Sequence, residues 1–214
     1  MSQIRFLTLC VLCVSAVLQG CTTTCVNGYY NDVCYTTGYY YNSPISGIDY
    51  ETSLDGEVIR TGVTGEDDDP GSFLFIEGAT VSLSLGGTVL GETDAKERVT
   101  PFDLAGVVEE AIGGCEVDET LPDDDFRKVH NIAALLQTLD TDGDPAGTID
   151  ISSGVAALFE NVTIDFDQPW EAFRTDLQGV LDAANNANLF PEARTLRDRV
   201  AALRALYQSI GLCE

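Results

Sequence analysis

Hydrophobic and polar positions change their period twice along the chain. Phe6–Leu18 is an apolar run of thirteen broken only by Thr8 and Ser15, too short for a spanning helix, which needs about 20 residues. Cys21 to about Ser43 has no period and is rich in Thr, Tyr, Asn and Gly. From Pro44 to about Leu104 the pattern alternates: Ser72–Phe75 reads as a strand, and Ala79–Leu85 places Val81, Leu83 and Leu85 on one face. Glycines at 62, 65, 71, 78, 86, 87 and 91 punctuate these runs at turn spacing.

Beyond Pro101 the period becomes helical. Asp103–Ile112 carries Leu104, Val107, Val108 and Ile112 on one stripe. Asp123–Leu139 opens on acidic capping residues and carries Phe126, Val129, Ile132, Ala133, Leu136 and Leu139. Trp170 to about Ala184 aligns Phe173, Leu177, Val180 and Leu181. Pro191 is placed to open a last helix whose stripe is Leu196, Val200, Leu203 and Leu206/Tyr207. Strands first and helices after give an α+β fold: an N-terminal antiparallel β-sandwich-like module followed by an α-helical module. The expected organisation is a targeting segment at 1–20, a Tyr/Thr/Gly-rich tether at 21–43, a β-rich module at 44–104 and a helical module at 105–214 with an acidic loop at 140–151.

Charge narrows the function classes. Eleven Lys and Arg oppose 35 Asp and Glu, a formal charge of −24 over 214 residues. Phosphate backbones need clustered cations, so nucleic acid is excluded as a partner. Arg194, Arg197, Arg199 and Arg204 form the one basic cluster in the sequence, and in so acidic a chain they suit local carboxylates. Hydrophobic residues make up 44%, too many for a disordered acidic chain.

The N-terminal run follows Arg5 and ends in Leu18-Gln19-Gly20-Cys21, which resembles the lipobox of bacterial lipoproteins. The resemblance implies cleavage before Cys21, a diacylglyceryl thioether on its sulfur and acylation of the new amino terminus. Thr22 after the cysteine implies, by the sorting rule of enteric lipoproteins, the outer membrane, with the chain facing the periplasm or the cell surface. Removing residues 1–20 leaves 194 residues and takes away one Arg and no acid, so the charge becomes −25. Cys10 and Cys13 leave with that segment and Cys21 carries lipid. Cys25, Cys34, Cys115 and Cys213 remain, enough for two disulfides in three connectivities. Cys25–Cys34 with Cys115–Cys213 is preferred because the first closes a short local loop. A zinc site would ask for Cys-x-x-Cys spacing, which these four cysteines lack.

Six of the eight tyrosines, Tyr29, Tyr30, Tyr35, Tyr39, Tyr40 and Tyr41, fall in the expected tether. They fit a recognition surface or, more simply, a low-complexity stalk.

The densest chemistry lies in Asp140-Thr141-Asp142-Gly143-Asp144-Pro145-Ala146-Gly147-Thr148-Ile149-Asp150-Ile151. Calcium takes six to eight oxygens, and alternating Asp supplies them. Without Pro145-Ala146 the run resembles an EF-hand loop, which implies side-chain oxygens from Asp140, Asp142 and Asp144, a backbone carbonyl from Thr148 and a contact from Asp150. The two inserted residues and Ser153 at the place of the final Glu depart from that pattern. The competing reading is a solvated turn in which Asp140 and Asp142 accept from nearby backbone amides.

Two wider resemblances exist. Gly62-Val63-Thr64-Gly65 through Gly71-Ser72-Phe73-Leu74-Phe75 resembles the hairpin of carboxypeptidase-regulatory-like, transthyretin-type modules, with a turn lengthened by Glu66–Asp69. The ordered set Gly71–Phe75, Glu77–Val81, Val89–Gly91, Thr100–Leu104 and Val129–Pro145 with Gly147–Ile151 resembles a family of exported proteins of marine Gammaproteobacteria. That similarity implies a periplasmic or cell-surface lipoprotein module and no particular activity. No Gly-x-Ser-x-Gly, His-Glu-x-x-His or P-loop occurs, and the single His130 lies on a helical pattern without a nucleophile beside it in sequence. The expectation is a non-enzymatic surface lipoprotein with a structural, adhesive or partner-binding role, attached to the membrane through Cys21, with calcium as candidate cofactor and an envelope or cell-surface protein as candidate partner. The alternative is a hydrolase or accessory subunit acting on extracellular polymer through paired carboxylates.

Overall fold

The computed structural model describes residues 25, 27–109, 117 and 126–213. The targeting segment, Cys21 and Cys115 lie outside them. Among the described residues no helix is long and apolar enough to cross a membrane.

Three two-residue turns set the sheets. Asn31-Asp32 joins β1 (Tyr29–Tyr30) to β2 (Val33–Cys34), and Asp55-Gly56 joins β5 (Asp49–Leu54) to β6 (Glu57–Val63); all four turn residues have positive φ. That is the backbone a mirror-image hairpin turn requires, and Asn, Asp and Gly tolerate it best. Gly86-Gly87 joins β8 (Thr80–Leu85) to β9 (Thr88–Asp94). The principal sheet is antiparallel, ordered β6-β5-β8-β9. A second sheet has β3 (Thr36–Tyr40) at its centre, antiparallel to β7 (Ser72–Phe75) and parallel to β10 (Arg98–Val99). The two-residue β4 (Ile45–Ser46) pairs in parallel with β11 (Ile149–Asp150).

Five helices are described: α1 (Pro101–Ala105), α2 (Arg127–Leu139), α3 (Ser153–Ala156), α4 (Trp170–Asn186) and α5 (Arg199–Ser209). The mixed α+β architecture, antiparallel sheets first and helices later, is thus present. Val81, Leu83 and Leu85 are fully buried, as their alternation predicts. Their face meets Tyr50 from β5 and Phe73 from the second sheet, whose rings lie 5.9 Å apart. The same apolar cluster runs on through Ile132, Leu135, Leu136 and Leu139 of α2 to Phe173, Leu177 and Leu181 of α4. A second cluster joins Phe102, Val129 and Ala133 to Leu203, Leu206 and Tyr207 of α5.

Three patterns resolve differently from the sequence. Thr36–Tyr40, within the stretch read as tether, is a central strand, and Tyr40 is fully buried. The helix expected over 103–112 instead spans Pro101–Ala105, because Gly106 closes it in a left-handed cap (φ 69°). Val108, expected on its stripe, is 74% exposed. Pro191 precedes an irregular segment. The last helix begins at Arg199, where the Asp198 carboxylate accepts from the Val200 and Ala201 amides.

Candidate functional site

α2 is buried from Val129 to Leu139 without a break. A helix covered on all sides must be met by partners on all sides, and its polar residues must find hydrogen bonds inside the protein. They do so with three separate segments. Asn131 Nδ2 donates to the carbonyls of Phe166 (2.9 Å) and Gln168 (3.0 Å), fixing the approach to α4. Gln137 Nε2 donates to Asn42 Oδ1 (3.0 Å) and to the Ala202 carbonyl (2.9 Å), tying the end of the second sheet to α5. Thr138 Oγ1 donates to the Ala134 carbonyl (2.6 Å) and accepts from the Arg197 amide (2.9 Å). His130 is buried against the edge of Trp170, ring centroids 5.8 Å apart.

The helix ends at Asp140, whose ψ of 132° turns the chain out of the helical spiral. Its side chain folds back: Oδ1 accepts from the Asp150 amide at 2.9 Å. Thr141 completes the neck, its amide (2.9 Å) and hydroxyl (2.6 Å) both donating to the Asp150 carbonyl. Within the loop, Asp142 Oδ1 accepts from the Asp144 amide (2.8 Å) and Asp144 Oδ1 from the Ala146 amide (3.1 Å). Each Asp thus closes a turn on the amide two residues ahead, the habit that makes Asp a turn residue. Ile149 and Ile151 then enter the core, their amides donating to the Pro44 and Ser46 carbonyls. Ser43 Oγ reaches the Pro145 carbonyl at 2.8 Å. The acidic loop is therefore a strap, tied to α2 at its neck and laid against residues 43–46.

One cation sits on this strap. Arg194 Nη2 donates to the Thr141 carbonyl (3.3 Å), and its guanidinium stacks 5.5 Å from the Phe190 ring centroid. Asn185 at the end of α4 positions it through a reciprocal pair: the Arg194 amide donates to Asn185 Oδ1 (2.7 Å) and Asn185 Nδ2 to the Arg194 carbonyl (2.8 Å). A Cβ at Gly143, where φ is 77°, would overlap this guanidinium, so Gly answers both the backbone and the space.

Electrostatics follow from burial. Asp140 is only 1% exposed, and its Oδ2 meets no protein donor. Loss of hydration is the main reason its pKa rises to about 6; the neighbouring Asp142 carboxylate adds to the rise, and the Asp150 and Gly143 amides oppose it. Asp142 is exposed, and its carboxyl is held below the usual range by the Asp144 amide first, then by Asp140 and the Arg194 charge. Of the two carboxyls, Asp140 is the first to take up a proton as the pH falls.

The five expected calcium ligands all belong to this strap. Asp142, Asp144, Thr148 and Asp150 lie on its exposed side and Asp140 lies beneath it. Among the described residues no group of three Asp, Glu, His or Cys side chains comes together at metal-holding range. Cys25 and Cys34 form a disulfide with Cα atoms 5.2 Å apart. Cys213 is disulfide-bonded too, and its expected partner Cys115 lies outside the described residues, as does Cys21, the expected lipidation residue.

A cleft of ≈ 250 Å³ gathers Arg60, Glu66, Asp67 and Asp69 beside Phe73. Asp69 accepts from the Tyr39 hydroxyl there (2.9 Å). A shallow apolar groove of ≈ 350 Å³ runs between Gly47, Val63 and Ile151 on one side and Ala156 and Ala157 on the other. Sequence reading pointed to the acidic strap but missed Asn42, Asn185 and the specific place of Arg194, which only tertiary structure brings to it. No protein-family model, curated protein or solved structure matches the chain.

Proposed function

We propose that the chain is a non-enzymatic envelope lipoprotein, anchored to the outer membrane through Cys21, whose body serves as a structural or partner-binding unit. The observation that supports this most is the fate of its richest polar motif. Asn131, Gln137, Thr138 and Asp140 direct hydrogen bonds inside the protein, to three other segments and to the neck of the loop, while Asp142 and Asp144 close turns within it. Groups committed this way brace a fold; a catalytic base must instead be free to reach a substrate proton. The motif that looks chemical in sequence is, on this reading, the rivet between the sheets and the helices.

Acyl chains at Cys21 and its amino group would anchor this body stably, since one chain alone binds a bilayer only marginally. The test is crosslinking of the tagged, lipidated protein in its native envelope, followed by purification. A stoichiometric protein partner is the expected result. Retention of polysaccharide without a protein partner would overturn the reading in favour of an accessory or hydrolytic role on extracellular polymer.

A further inference from the structure

We infer that the disulfide-closed hairpin β1–β2 and the adjoining β5–β6 turn form the membrane-facing end of the molecule, with Tyr29, Val33 and Val58 resting in the headgroup layer of a zwitterionic bilayer. This rests on the anchor reading at Cys21. Between Cys21 and Cys25 lie four peptide steps, which cannot span more than about 14 Å even fully extended. Whatever surface adjoins Cys25 is therefore held against the bilayer, not displayed at the end of a long stalk.

That surface is firmly part of the body. The disulfide joins Cys25 to Cys34, and the Tyr35 amide donates to the Gly28 carbonyl (3.1 Å). The Tyr35 hydroxyl donates to the Ile59 carbonyl of β6 at 2.7 Å, and the Arg60 guanidinium lies 5.7 Å from the Tyr35 ring centroid. Tyr30 lies beside Glu57 at the start of the same strand. Tyr30 and the following Tyr35 thus tie the hairpin to β6, and its position fixes which way the body faces.

Tyr29 and Val33, on opposite faces of the hairpin, and Val58 beside the β5–β6 turn are all left in solvent. Six large apolar side chains are exposed among the described residues, and three of them are here: Tyr29 (67%), Val33 (50%) and Val58 (49%). Tyr favours the membrane–water interface because its ring is apolar and its hydroxyl polar. Asp32, Asp55 and Glu57 stand beside them, so the fit is to a zwitterionic surface, and an anionic one would repel this end.

The experiment uses the full lipidated chain in phosphatidylcholine vesicles with brominated acyl chains, which quench only nearby indoles. Two variants are compared with the parent: Tyr29→Trp in the hairpin, and Val89→Trp on β9, the opposite edge strand of the principal sheet. Trp170 is common to all three and supplies the background. The added emission of Tyr29→Trp is expected to be quenched at least threefold more than that of Val89→Trp. Equal quenching, or none at either position while palmitate label is present at Cys21, overturns the orientation. Absence of label at Cys21 overturns the anchor reading itself and this inference with it.

Discussion

Asp140 carries two loads at once: one oxygen holds the Asp150 amide while the other is enclosed without a protein donor. Its raised pKa means that the folded state holds this proton more tightly than the unfolded chain does. The resulting stability is fully present below the ordinary carboxylate range and is lost as pH rises through about 6. Asp142, shifted downward, contributes in the opposite sense at lower pH. Thermal melts between pH 4 and 8 should therefore show a decline that runs from the ordinary carboxylate range up to about pH 6 and levels off above it. Asp140→Asn, which keeps an acceptor for Asp150 and a donor for Asp142, should flatten that decline. An unchanged pH profile in the variant would show that Asp140 is not its source.

The same residues separate turn chemistry from cation binding. Asp142→Ala removes an acceptor from the Asp144 amide and an anion from beside Arg194, and should lower Tm. On the turn reading the loss is equal with and without millimolar calcium. A calcium-dependent rise in Tm that disappears in Asp142→Ala would instead give the strap a metal. Gly143→Ala should be worse than its small size suggests, about 1–2 kcal/mol, since it combines a left-handed backbone with displacement of Arg194.

At the scale of elements, α2 is the member on which the others depend. Gln137→Ala leaves Asn42 Oδ1 and the Ala202 carbonyl without their donor in a buried setting, so a loss of about 2–3 kcal/mol is expected in chemical denaturation. A loss under 0.5 kcal/mol would contradict the bracing role. The helix was legible in sequence because Val129–Leu139 carries apolar residues around much of its circumference. Its partners were not, because Asn42, Gln168 and Arg197 come from 37 to 95 residues away. The strand Thr36–Tyr40 was obscure for a related reason. Thr-Thr-Gly-Tyr-Tyr has no strong local alternation, and its burial comes from β7 and β10 pairing on either side. Near the C-terminus two start signals competed. Pro191 lost to Asp198 because Asn185 holds the Arg194 backbone in a reciprocal pair, and Asp198 supplies the side-chain cap that a helix start needs.

For the whole molecule, the acidity and the anchor belong together in one picture. On the anchor reading, excess carboxylates keep the body out of contact with anionic neighbours at the membrane. Part of that charge is used structurally, at the strap of 140–150 and at the 66–69 turn, where Asp69 holds Tyr39. The central claim is that this body is carried by lipid at Cys21, and mass spectrometry of the mature N-terminal peptide from cells that express the full chain tests it most directly. The account predicts a peptide that begins at Cys21 and bears acyl chains on both sulfur and amino group, with the protein in the outer-membrane fraction and released from it by Cys21→Ser. An unmodified Cys21, or a mature chain that begins elsewhere, would contradict it.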